Sequence, residues 1–144
     1  MSATLDANLL LYASNSESEL HKPARAFLSR LAMGSGLVYV FWPTVMAYLR
    51  IATHPAVFPR PLSESEATAN VESLLGLAHV RSPGEIDGFW KAFRGVCAPL
   101  AVRGNLVSDA HVVALMRLHG VTEIWTRDRD YRKFEGIRVL DPFE

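Results

Sequence analysis

The chain has 144 residues, with fifteen Lys or Arg against fifteen Asp or Glu, a formal charge of zero and an apolar content of 49%. That length suits a single domain, 1–144, able to bury about 68–70% of its unfolded surface without disulfide or metal staples, and the composition is globular, not disordered. A neutral balance excludes a global basic field for nucleic acid, a lone Cys97 excludes an internal disulfide framework, and MSATLDANLLLYAS lacks the basic leader of a signal peptide and the length of a span, so a cytoplasmic location away from membranes is expected.

Taken in chain order, Ala3 to Ala13 is an apolar run broken by Asp6 and Asn8, short and dense enough for a buried strand that turns into a helix, with Asp6 near the strand's carboxyl end. From His21 to Met33, Ala24, Phe27, Leu28 and Leu31 recur at helical spacing, with Pro23 in a first turn and Gly34 as a stop. GLVYVFWP reads as a strand that passes into helix at Trp42 to Thr44, because Pro43 lacks the N–H a strand interior needs. The helix from Thr44 to Thr53 is apolar on nearly every side, and HPAVFPRP then breaks it.

A second helical region opens at Ser63, where Glu66 completes a capping box, and runs to about Leu77. A short strand in AHVRSP and a helix from Glu85 to Cys97 follow, with Ile86, Phe89, Trp90 and Phe93 as its expected core stripe. After a loop marked by Pro99, Gly104 and Asn105, Ser108 is a suitable N-cap for a helix from Asp109 to His119 that Gly120 ends. VTEIWT has strand composition, RDRDY a turn, and Ile137 to Leu140 a last strand stopped at Pro142. Strands alternating with helices predict an α/β domain around a largely parallel sheet with right-handed crossovers.

In such sheets ligands bind beyond the carboxyl ends of the strands, which is where Asp6 and Asp128 fall, while Asp109 enters from a helix N-terminus. Each has an ordinary explanation alone, as a cap, a turn residue or a partner of the helix dipole. Gathered in one crevice, they would repel and raise one another's pKa unless a cation neutralised them. Carboxylate and water oxygens suit Mg²⁺ or Mn²⁺, and nothing has zinc-ligand spacing, His111 and His119 being too far apart. Such a site would activate a water and offset charge on a phosphoryl oxygen, which makes phosphodiester cleavage the natural reaction. The one local basic stretch is Arg127 to Arg138, with Arg127, Arg129, Arg132, Lys133 and Arg138.

These residues resemble the PIN-domain ribonucleases, in particular the VapC toxins of bacterial toxin–antitoxin pairs. The matching elements are LDANLLLY, YLRIATHP from Tyr48 to Pro55, NLVSDAHVVAL, and TRDRDYRKF followed by IRVLDP, so the resemblance spans essentially the whole chain. It implies a three-layer α/β/α fold with a central, mostly parallel sheet, a homodimer, Mg²⁺-dependent endoribonuclease activity, with Mn²⁺ as the alternative ion, and neutralisation by a cognate VapB-type antitoxin. By position, Asp6 matches the first metal-binding aspartate, Asp109 the one opening the late helix, and Asp128 the acid of the TRD motif. Asn8 and Thr126 would orient those ligands, Asp130 is the weaker of its pair, and Arg127, Arg129 and Lys133 would hold the RNA backbone.

One departure stands out. Most family members carry a glutamate just before the arginine matched by Arg50, and this chain has Ala47 and Tyr48 there. Three carboxylates then remain in place of four, which predicts a weaker second metal position and keeps a catalytically weak or inactive RNA- or protein-binding module as the alternative. The two most uniformly apolar helices, Thr44 to Thr53 and Asp109 to His119, predict surfaces covered by a second copy or by the antitoxin.

Overall fold

Five strands, β1 (Ser2–Leu5), β2 (Leu37–Tyr39), β3 (Val80–Arg81), β4 (Glu123–Trp125) and β5 (Arg138–Leu140), pair in the order β3-β2-β1-β4-β5. All four pairings are parallel, with Thr4 opposite both Tyr39 and Ile124 at the centre. The computed structural model describes residues 2–144. Between the strands run α1 (Ala7–Ser14), α2 (His21–Met33), α3 (Trp42–Ala52), α4 (Glu64–Leu75), α5 (Phe89–Cys97) and α6 (Leu106–Leu118). From β1 the chain steps outward through β2 and β3, then returns to lay β4 and β5 on the opposite side. The direction of winding therefore reverses between β1 and β4, which opens a crevice beyond their carboxyl ends.

Because successive strand residues face opposite sides, the sheet separates two cores. Leu5, Leu9, Phe27, Val45 and Tyr48 build one with α1 to α4. Phe41, Val113, Met116 and Ile124 build the other with α5 and α6. In β4, Ile124 is fully buried in the second core, whereas Trp125 meets Phe27 across the first at 5.2 Å between ring centroids. The result is a three-layer α/β/α sandwich. No helix among the described residues is long and apolar enough to cross a membrane.

Several elements follow the sequence closely. The helix His21–Met33 has the expected ends, α3 takes Pro43 in its first turn, and the Ser63 capping box makes both its bonds, at 3.1 and 3.0 Å. Two helices start elsewhere. Gly88 adopts φ 92, a left-handed conformation that severs residues 85–87 from α5 and delays its start to Phe89. Phe89 and Phe93 still reach the core, but Ile86 and Trp90 are 53% and 64% exposed. Gly104, at φ 59, turns the chain early enough for Asn105 to have helical dihedrals already. Ser108 thus lies inside the first turn of α6 and caps nothing.

The two apolar helices also part company. In α6, Ala110 and Val112 through Met116 are buried within this chain, so most of its apolar side chains are covered without a partner, Val107 in the first turn being exposed. Helix α3 instead leaves Trp42 and Met46 at 38% and 54% exposure.

Candidate active site

Asp6 stands at the carboxyl end of the central strand. Its backbone N–H donates to the Trp125 carbonyl at 3.0 Å, and at φ −80, ψ 147 it is still extended when α1 begins at the next residue. Thr126, 1% exposed, follows β4 and donates its own N–H to the Leu140 carbonyl at 2.9 Å. Its hydroxyl donates to Asp6 Oδ2 at 2.8 Å and accepts the Asp128 N–H at 2.9 Å. One buried hydroxyl thereby fixes the Asp6 carboxylate and the turn that carries Asp128. Asn8 is exposed, and its Nδ2 lies 3.4 Å from the same Asp6 oxygen, a long contact beside that of Thr126.

Beyond Asp128 the chain winds into a short 3-10 helix, Arg129–Lys133, in which the Asp130 N–H donates to Asp128 Oδ1 at 2.9 Å. This folds Asp130 back toward Asp128. Asp109, in the first turn of α6, completes the grouping: carboxylate oxygens of Asp109, Asp128 and Asp130 all lie within 4.8 Å of one another. Asp130, read from sequence as the weaker of its pair, is therefore part of this cluster.

Charge in the crevice is under-compensated. Burial, assisted by repulsion from Asp128, raises the Asp6 pKa, while the Thr126 hydrogen bond opposes the rise. Asp109 is pushed up to about 6, first by burial and then by the negative charges of Asp128, Asp6 and Asp130. The nearby phenol of Tyr131, whose residue is 3% exposed, opposes this rise. Burial and the surrounding carboxylates hold that phenol in its protonated form. Sequence reasoning passed over Tyr131, although its signal was present: an aromatic residue with a polar tip directly after two acids, on a segment too short to bury it without a partner for the hydroxyl.

No carboxylate reaches the crevice from the expected position on α3. Tyr48 is 2% exposed, and its hydroxyl shares a hydrogen bond with Ser14 Oγ at 2.7 Å and accepts Asn70 Nδ2 at 3.0 Å. The histidines lie outside the acidic cluster: His111 meets Glu85 at 2.7 Å, and His119 bonds the Gly84 carbonyl at 3.0 Å. Of the basic residues expected to hold RNA, Arg127 pairs with Asp141 at 3.4 Å and Lys133 with Asp130 at 3.1 Å. Arg129 is exposed and has no ion pair among the described residues.

An oxygen-only donor set with raised carboxyl pKa values fits a hard divalent cation, since a bound positive charge removes the repulsion and favours ionisation. It does not fit a zinc centre, which draws on nitrogen and sulfur.

The profile of the PIN domain family matches residues 3–137. The chain is 48% identical over 143 residues to ribonuclease VapC48 of Mycobacterium tuberculosis, covering 99% of each protein. It is 34% identical over 138 residues to ribonuclease VapC37 of the same organism, covering 96% of this chain and 95% of the relative. Among solved structures, the DNA-bound VapBC of Salmonella typhimurium superposes with a TM-score of 0.68 at 16% identity, over 99% of this chain and 98% of the other. VapC20 of M. tuberculosis, a sarcin-ricin loop cleaving toxin, superposes with a TM-score of 0.65 at 17% identity, over 94% and 98%. At those identities the structures speak for the fold alone.

Proposed function

Because the chain belongs to the PIN-domain family, among its VapC-type members, we propose that it is the toxin of a toxin–antitoxin pair, an endoribonuclease that hydrolyses RNA phosphodiester bonds with Mg²⁺ or Mn²⁺. The observation that carries the reading is the convergence of Asp109, Asp128 and Asp130 within 4.8 Å, with Asp6 close enough to raise the Asp109 pKa. Asp6, Asp109 and Asp128 would hold the ion, with Asp130 able to add an oxygen. A divalent cation bound there would acidify a water and offset charge on the phosphate. Thr126 keeps the Asp6 carboxylate turned into the crevice, and the buried Tyr131 lies near Asp109. Arg129 and Arg132, exposed and without an ion pair among the described residues, are the members of the basic stretch free to meet a phosphate.

Two partners accompany the reading. A VapB-type antitoxin would neutralise the enzyme in the cytoplasm. A second copy would cover the exposed Trp42 and Met46 of α3, removing apolar area from water.

The test is cleavage of total RNA by the purified protein with and without EDTA. Metal-dependent cutting that disappears in Asp6→Asn, with an unchanged melting profile, is the expected result. Cutting by Asp6→Asn at the wild-type rate removes Asp6 from the mechanism. A second reading, a module that binds RNA or protein without cutting, is favoured by the missing acid on α3. Binding with no cleavage at any metal concentration would establish it instead.

A further inference from the structure

Helix α5 presents a face that the fold leaves unused. Lys91, Arg94, Gly95 and Ala98 succeed one another at the spacing of a single helical stripe, all exposed, with Trp90 beside them. Trp90 stacks one ring face on Phe93, at 5.6 Å and 17° between planes, and remains 64% exposed. A rigid aromatic plane is thus anchored in the core and turned outward. Neither Lys91 nor Arg94 has an ion pair among the described residues, whereas Arg127, Lys133 and Arg138 are each engaged by a carboxylate. Gly95 adds an independent sign. Glycine weakens a helix interior relative to alanine, yet a Cβ at Gly95 would meet nothing within 4 Å. Nothing inside the chain asks for a glycine there; a backbone approached closely from outside would.

The Phe89 ring lies 5.3 Å from that of His111, so the start of α5 packs against the first turns of α6, the helix that also carries Asp109. We infer that this face of α5 seats the single-stranded part of the RNA substrate, with Trp90 beneath a base, Lys91 and Arg94 on flanking phosphates, and Gly95 admitting the nucleic-acid backbone. The inference rests on the endoribonuclease reading and names the surface that delivers the strand to it. An exposed aromatic plane beside unpaired cations is the usual means of holding single strands without sequence preference. A two-fold contact between copies centred on this face would set Lys91 and Arg94 against their own counterparts, so the charge favours a polyanion over a second copy.

The test measures binding of a fluorescein-labelled RNA hairpin with a single-stranded loop to the full-length protein in EDTA, by anisotropy across a salt series. Lys91→Ala/Arg94→Ala should weaken binding about tenfold or more and flatten the slope of log K against log salt by about 1.4, the loss of two single-strand phosphate contacts. Trp90→Ala should weaken it by a similar factor and Trp90→Phe should restore most of it. Gly95→Leu should raise the melting temperature of the free protein while weakening binding, two effects of opposite sign that loss of fold would not produce. Arg60→Ala, which removes an exposed cation after α3, should leave affinity and slope unchanged. Wild-type affinity in both the double variant and Gly95→Leu, with the RNA still cut when Mg²⁺ is added, overturns this inference and leaves the endoribonuclease reading standing. A variant that loses RNA only because sedimentation shows its dimer has dissociated assigns the face to a second copy and also overturns it. A wild-type protein that neither binds nor cuts RNA overturns both.

Discussion

Acids and bases in the last third of the chain are treated in opposite ways. Arg127 and Arg138 each lie against a carboxylate, Asp141 and Glu123, at 3.4 and 3.1 Å. The acids of the crevice crowd one another, with Lys133 on Asp130 as their single ion-pair partner among the described residues. Since the chain has as many bases as acids, a shortage of positive charge does not explain this. The fold neutralises charge where neutrality suffices and leaves it uncompensated at the switch between β1 and β4, a local cost of the kind that marks functional sites.

The strongest way to break that contrast is to remove one crowded charge. Asp109→Asn should reduce cleavage by roughly 10³-fold, the loss of several kcal/mol of transition-state stabilisation, as read from single-turnover kinetics. The same substitution should stabilise the metal-free fold at neutral pH. Because Asp109 has a folded pKa of about 6, above its ordinary 3.8, its contribution to stability is fully present below about 4 and is lost as pH rises through about 6. Wild-type protein in EDTA should therefore lose about 1–2 kcal/mol between pH 4 and pH 7, after discounting for solvent screening. Denaturant titrations that give Asp109→Asn and wild type the same pH dependence would refute the assignment.

A smaller perturbation sharpens the contrast from within. Thr126→Val keeps the shape but leaves the Asp6 carboxylate and the Asp128 N–H without their shared partner, at a cost of about 1–3 kcal/mol. Calorimetry should show metal affinity falling by about 10–100-fold, with Thr126→Ser restoring most of it. The least effect belongs to the neutralised side: Arg127→Ala breaks a surface pair and should change stability by less than about 0.5 kcal/mol in a urea titration.

How much of this was legible beforehand differs by element. The helix His21–Met33 and the Ser63 capping box follow from local rules, because spacing, caps and breakers act within a few residues and are written contiguously. The starts of α5 and α6 were misread because each depends on a glycine in the left-handed region, and a glycine's identity permits φ 92 at Gly88 or φ 59 at Gly104 without requiring it. Trp90 was read as core because it shares a helical stripe with Phe89 and Phe93, but only those two reach the core and Trp90 stands at the stripe's outer edge, 64% exposed.

For the crevice, the sequence by itself determined which groups could take part, since Asp6, Asp109 and the TRDRD segment stand at strand ends and a helix start, in segments that resemble those of the PIN-domain ribonucleases. It also determined that no carboxylate comes from α3, where Ala47 and Tyr48 stand. Only the tertiary structure decided how those groups share space: that Thr126 serves Asp6 and Asp128 with one hydroxyl across 120 residues of chain, that Asp130 folds back into the cluster, that Tyr131 is buried near Asp109, and that Arg127 and Lys133 are already engaged. The physical reason is one of range. Propensity and capping act through neighbours along the chain, whereas burial and Coulomb interaction depend on distances that exist only once β1 and β4 lie side by side.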